Sequence, residues 1–171
     1  EHGGGAEALR WVIADNTAAL NEHPVLFPAS DVAALDTSAV ARLAAIAGLL
    51  DRRLDEGFVR RCHGDLHLGN LCLWHGRATL FDAIEFNDRF DCIDVFYDLA
   101  FLLMELDRRV GRASANHVLN RYLRRTDDVA GVATLPLFLS ARATVRAKVN
   151  AAAALVQTDD DKAARLTRAA R

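Results

Sequence analysis

Residues 61–70 read Arg-Cys-His-Gly-Asp-Leu-His-Leu-Gly-Asn, and no other ten-residue stretch holds so many groups able to carry a proton, a metal ion or a phosphate. Asp82 follows in Leu80-Phe81-Asp82. The oxygens of Asn70 and Asp82 suit Mg²⁺, which favours carboxylate and carbonyl ligands in near-octahedral geometry and keeps several waters. A carboxylate in the same loop, Asp65, can accept a hydrogen bond from a hydroxyl and orient its oxygen for attack. Taken alone, Asp65 beside Gly64 reads equally as a turn residue; the chemical reading depends on Asp65, Asn70 and Asp82 meeting at one place.

Several elements must bring them there. Leu71–Trp74 and Ala78–Phe81 are short apolar runs around His75-Gly76, a pattern that predicts a small antiparallel hairpin delivering Asp82 beside Asn70. The polar stretch from Asn87 to Asp91 reads as a loop. From Asp94 to Val110 the residues Val95, Phe96, Leu99, Leu102, Leu103, Leu106 and Val110 form one broad apolar face, which predicts a buried helix. Before the loop, apolar spacing predicts a helix over residues 6–22, ended by His23-Pro24, and another from Ser38 to Gly57. After the spine helix, Ser114 is placed to cap a helix running to about Arg125. Thr126 to Gly131 reads as a loop, the Ala-rich run from Leu135 to about Val156 as a long helix, and Asp159 to Asp161 as the start of a last short one.

His63-Gly64-Asp65-Leu66-His67-Leu68-Gly69-Asn70, then Phe81-Asp82, then Tyr97-Asp98-Leu99-Ala100-Phe101, together resemble the aminoglycoside phosphotransferase family, whose fold is that of protein kinases. The likeness extends from about residue 58 to 150 and is to the C-terminal lobe. Phe81 to Leu106 is most similar to bacterial proteins in which such a domain precedes a P-loop ATP-binding domain. The resemblance implies a mainly α fold with a small β-hairpin, of the aminoglycoside phosphotransferase and choline kinase type. It implies ATP and Mg²⁺ as cofactors and a small-molecule hydroxyl as acceptor, with Asp65 as base and Asn70 and Asp82 as metal ligands. By the same analogy Phe58-Val59 is a short extended segment. His63 and Asp98 support the loop, Asp98 by accepting its backbone N–H groups.

His67 either lines the substrate cleft or is a solvated loop histidine, the second being the preferred reading. Glu85 lies three positions after Asp82, where many relatives place a second acid two positions on, so it is a candidate additional site residue without an assigned role. Arg142 and Arg146, one turn apart with Lys148 nearby, either meet an acidic substrate or form a solvated face, again the preferred reading.

The chain has 171 residues, half of them hydrophobic, enough for one domain with a real core. We read residues 1–171 as the one lobe, with residues 1–5 as a linker remnant. A net charge of -2 offers no basic stripe for nucleic acid. Nineteen of the 21 basic residues are Arg, which we attribute to genomic bias. Cys62, Cys72 and Cys92 form no disulfide or zinc pattern, consistent with a reducing cytoplasm. No apolar run approaches the roughly 18 residues of a membrane span, so no membrane partner is expected. No Gly-rich phosphate loop with a strand lysine precedes residue 58, and no GxxxxGK[ST] is present. A missing N-terminal lobe is therefore expected, and little activity from this chain alone. Two other readings stay open: a non-catalytic kinase-like binding module, and a metallophosphoesterase suggested by Gly64-Asp65 and Gly69-Asn70.

Overall fold

In the computed structural model, which describes residues 4–85, 88–156 and 160–170, the chain opens with two helices, α1 (Gly5–Asn21) and α2 (Ala29–Asp55), joined through Pro24 and Pro28. Gly4 gives α1 no side-chain cap, and Asp51 of α2 satisfies one free N–H instead, accepting from Ala6 at 2.9 Å. Leu9, Ile13 and Leu20 on α1 and Val32, Leu43, Ile46 and Leu50 on α2 are buried. Helix α2 starts nine residues before Ser38. The added turns bury Val32, and Asp36 accepts from Thr17 at 2.7 Å, contacts too sparse for apolar spacing to reveal. Gly5, expected in a linker, lies inside α1; residues 1–3 lie outside the described residues. By length and composition α2 is also apolar enough to cross a membrane, against the reading of the sequence, with 17% of the relevant window buried.

Gly57 takes a left-handed φ of 78° and ends α2. Strand β1 (Val59–Arg61) follows and pairs antiparallel with β4 (Cys92–Asp94), Arg60 opposite Ile93. That pairing was not legible in the sequence, because three-residue strands carry no periodicity. The second sheet is the expected hairpin of β2 (Leu71–Trp74) and β3 (Arg77–Leu80), joined by His75 and Gly76 at φ 48° and 73°. Two positive φ values are those of the two-residue turn that matches strand twist. The fold is thus mostly helical with two small antiparallel sheets rather than one.

Where a loop was expected before Asp91, residues Asp88–Asp91 form a single turn, α3; Asn87 lies outside the described residues. The spine helix α4 (Val95–Arg109) is capped by Asp94, which accepts from Phe96 N–H at 2.8 Å. Helix α5 (Arg112–Thr126) begins after Gly111 rather than on a Ser114 cap, since Gly111 at φ 120° turns the chain out of α4. Part of the expected 126–131 loop is a 3₁₀ turn, Ala130–Thr134, leading into α6 (Leu135–Val156); α7 (Asp160–Ala170) closes the chain, and Asp159 lies outside the described residues. Ile93, Phe96, Leu99 and Leu103 pack with Leu137 and Phe138 into one core shared with α1 and α2.

Inside that core lies a charge network. Arg53, 1% exposed, donates to both carboxylate oxygens of Asp94 (2.7 and 2.9 Å) and of Asp128 (2.6 and 2.9 Å). Its guanidinium sits 4.3 Å from the Phe58 ring centroid. Burial works against its charge, but the two carboxylates more than offset this, and its pKa is raised. Removing one member of such a cluster strands the others without compensation. Arg53→Ala is expected to cost about 3–5 kcal/mol in urea unfolding; a loss below about 1 kcal/mol, as for solvated pairs, would contradict the network's role.

Candidate active site

The loop between β1 and β2 is held from beneath by α4. Asp98, 5% exposed, accepts from His63 N–H at 3.0 Å and Gly64 N–H at 3.1 Å. Burial pushes the Asp98 carboxyl up, against the opposing pull of Arg142 and the two backbone N–H groups. Gly64 is required here: φ is 81°, and a Cβ would stand 2.8 Å from the Phe90 carbonyl oxygen. His63 closes the other side, its Nε2 2.9 Å from Phe81 O while its backbone carbonyl accepts from Ile84 N–H at 2.9 Å. A carbonyl only accepts, so Nε2 carries the proton and Nδ1, buried, is left unpartnered.

Within that frame Asp65, Asn70 and His67 converge. Asn70, 7% exposed, donates through Nδ2 to Asp65 O at 3.0 Å and Asp65 Oδ2 at 3.2 Å. With the amide nitrogen so used, Oδ1 is the side left to ligate a cation. His67 Nδ1 accepts from Gly69 N–H at 2.9 Å, so in the neutral ring Nε2 bears the proton and faces Asp65 Oδ2 at 3.3 Å. Its side chain is 12% exposed and meets Phe101 edge-on at 5.3 Å. The solvated reading of His67 is therefore corrected: the ring is packed and braces the candidate base.

Phe81 N–H bonds Asn70 O at 3.1 Å, extending the pairing of Leu71 with Leu80 and bringing Asp82 to the same end of the hairpin. Asp82 is exposed and holds a left-handed φ of 61°, uncommon for a residue with a Cβ. The side chain of Asp82 is not needed for that turn, since φ in this region is most easily taken by glycine. Asn70 Oδ1 and the Asp82 carboxylate are oxygen donors of the type Mg²⁺ takes. Glu85 is exposed and makes no hydrogen bond or ion pair with the described residues, so the structure does not draw it into this group.

Sequence reasoning missed what lies around the carboxylate. Asp65 and Gly64 open into a cavity of about 790 Å³ lined from α1, α4 and α6 by residues that include Trp11, Asn16, Tyr97, Arg142 and Lys148. The solvated reading of Arg142 is overturned: it is 6% exposed, donates from Nε to Tyr97 O at 3.1 Å, and stands 3.7 Å from Asp98. Arg146 is three-quarters buried beside the buried Glu105, 3.7 Å away. The one available signal was α1, whose polar residues Glu7, Asp15 and Asn16 share its sequence with Trp11.

A model of the phosphotransferase enzyme family matches residues 6–135. The chain belongs to that family. The metallophosphoesterase reading is thereby set aside. Proteins described only as uncharacterized, one from Mycobacterium bovis and two from Mycobacterium tuberculosis strains, are each 31% identical over 150 residues, covering 85% of this chain and 29% of the relative. The chain thus spans under a third of the length of these relatives. No solved structure matches.

If Asp82 is kept for chemistry, glycine should replace it without loss of fold. Asp82→Gly is expected to unfold thermally within about 1 kcal/mol of the native chain, with Asp82→Ala less stable than Asp82→Gly because alanine keeps the left-handed penalty. An Asp82→Gly chain that unfolds much earlier would show that the side chain is structural.

Proposed function

We propose that this chain is the kinase-like C-terminal lobe of an ATP-dependent phosphotransferase that moves the γ-phosphate of ATP to a hydroxyl of a small molecule. The observation that carries the reading is the Asp65–Asn70–His67 cluster, on a loop whose backbone Asp98 holds, with Asp65 lining the cavity. In this reading Asp65 accepts a hydrogen bond from the acceptor hydroxyl. The acceptor oxygen bonds to the γ-phosphorus, the bond to the β–γ bridging oxygen breaks, ADP leaves, and Asp65 takes the hydroxyl proton late. His67 orients the carboxylate from one side and Asn70 from the other. Asn70 and Asp82 would hold Mg²⁺, which when bound neutralises charge on the phosphates. The work of the protein is then chiefly positioning.

The chain contains no Gly-rich loop and no strand lysine before the catalytic loop. We propose that a further lobe of the longer protein clamps the nucleotide, that a fused P-loop domain accompanies it, and that the protein acts in the cytoplasm.

In the longer protein, Asp65→Asn keeps the shape of the side chain but removes the base, and should lower kcat by about 10²–10⁴ with KM changed little. Retained turnover would favour a binding module instead. For the 171-residue chain alone, an ATP-consumption assay with Mg²⁺ and mixed small alcohols is expected to show no sustained turnover; robust turnover would remove the need for a second lobe.

A further inference from the structure

Asp98 holds the loop from beneath while almost out of water, its side chain 8% exposed. Both of its oxygens are in use, Oδ2 accepting from His63 N–H and Oδ1 from Gly64 N–H. Only the carboxylate serves both donors well. On a protonated acid one oxygen carries the proton and becomes a poor acceptor, and that O–H needs an acceptor where the neighbours, two N–H groups and a guanidinium, only donate. Burial works against the charged form, so what faces the carboxyl decides its state. The titratable groups about Asp98 are Arg142 from α6, Cys62 and His63 from the loop, and Tyr97 beside it on α4. Burial keeps the Cys62 thiol and the Tyr97 phenol neutral, and His63 spends its Nε2 on Phe81 O. Arg142 is charged at every biological pH, and it is foremost among the groups drawing the Asp98 carboxyl down.

Arg142 is fixed there by groups that do not compete for its charge. Its Nε donates to Tyr97 O at 3.1 Å, and its guanidinium carbon lies 3.9 Å from the Tyr97 ring centroid and 5.1 Å from that of Phe101. Nη2 faces Asp98 Oδ1 at 3.7 Å, beyond hydrogen-bond length. Among the described residues Asp98 is the one carboxylate within ion-pair distance of it. Charge acts across such a gap when both groups are shielded from water. The same Phe101 ring meets His67 edge-on at 5.3 Å, so Arg142 also backs the histidine that faces Asp65. We infer that Arg142 is a positioning residue of the site: its charge keeps Asp98 a carboxylate, and the carboxylate keeps both N–H groups of the loop in place. That this loop is catalytic rests on the phosphotransferase reading above; that Arg142 holds it does not.

The test is hydrogen–deuterium exchange of the peptide holding His63 and Gly64, in the longer protein, from acid to neutral pH and corrected for the intrinsic rate. Native protection is expected to fall about tenfold as Asp98 takes its proton, the worth of a hydrogen bond to a charged acceptor. In Arg142→Met, which keeps bulk against the two rings, the fall should come about one pH unit or more higher. Arg142→Lys keeps the charge and should return the midpoint towards its native place. Asp98→Asn has one acceptor oxygen at every pH and should be weakly protected throughout, and adding Arg142→Met to it should cost nothing further. Arg142→Gln, which keeps a donor for Tyr97 O, serves if Arg142→Met does not fold. An unmoved midpoint overturns the inference and assigns the titration to His63. So does a loss in Arg142→Met that is equal at every pH, or that is repeated in full on Asp98→Asn, since either makes Arg142 a packing residue. A moved midpoint with turnover indifferent to Asp65→Asn would sink the phosphotransferase reading alone; an unmoved midpoint with turnover that needs Asp65 would sink this inference alone.

Discussion

Arg53 is the charge around which the candidate site is assembled. It lies in the last turn of α2, just before the chain enters β1 and the loop of the candidate site, and it grips Asp94, which is at once the end of β4 and the cap of α4. One guanidinium thus sets where α4 begins relative to the loop. Asp98 follows Asp94 by about one helical turn, and so lands under His63 and Gly64 with its two oxygens on their N–H groups. Asp128 and Tyr122 tie the turn after α5 to the same point, with Tyr122 donating to Asp128 at 3.1 Å. A buried cation with two buried anions is tolerated because every partner is hydrogen-bonded and the rings of Phe58 and Phe96 cover the guanidinium.

The site built on this frame divides its labour by burial. Groups that hold shape are covered: Asp98, Arg142 and the His67 ring all lie inside or nearly so. The two candidate carboxylates are open, Asp65 with its side chain 41% exposed and Asp82 exposed. The left-handed conformation of Asp82 and the close approach of Gly64 to the Phe90 carbonyl fall at this boundary. A packed scaffold of helices can hold such local strain, whereas an isolated hairpin, marginally stable in water, could not.

Family membership accounts for the phosphotransferase character, and the cavity is built by more distant segments. Its wall draws on α1 and α6, which stand more than a hundred residues apart, and Asn16 bonds Ala141 across that span. That wall is coupled to the loop through Arg142, which stands 3.7 Å from the Asp98 that holds the loop.

Much of this was legible from residue order alone. The loop from His63 to Asn70, the hairpin turn at His75-Gly76 and the apolar face of α4 are local patterns, and local patterns survive in sequence because φ preferences and helical periodicity act over a few residues. The pairing of β1 with β4, the nine extra residues of α2 and the buried roles of Arg53, Arg142 and His67 were not. A charged or ionisable side chain looks solvated until its partners are known, and those partners lie 41 residues away for Asp94, 75 for Asp128 and 45 for Tyr97. By itself, then, the sequence determined the chemical groups and their local turns; only the tertiary structure decided which charges would be buried together and which would be left facing a cavity, because desolvation is set by the packing of distant segments.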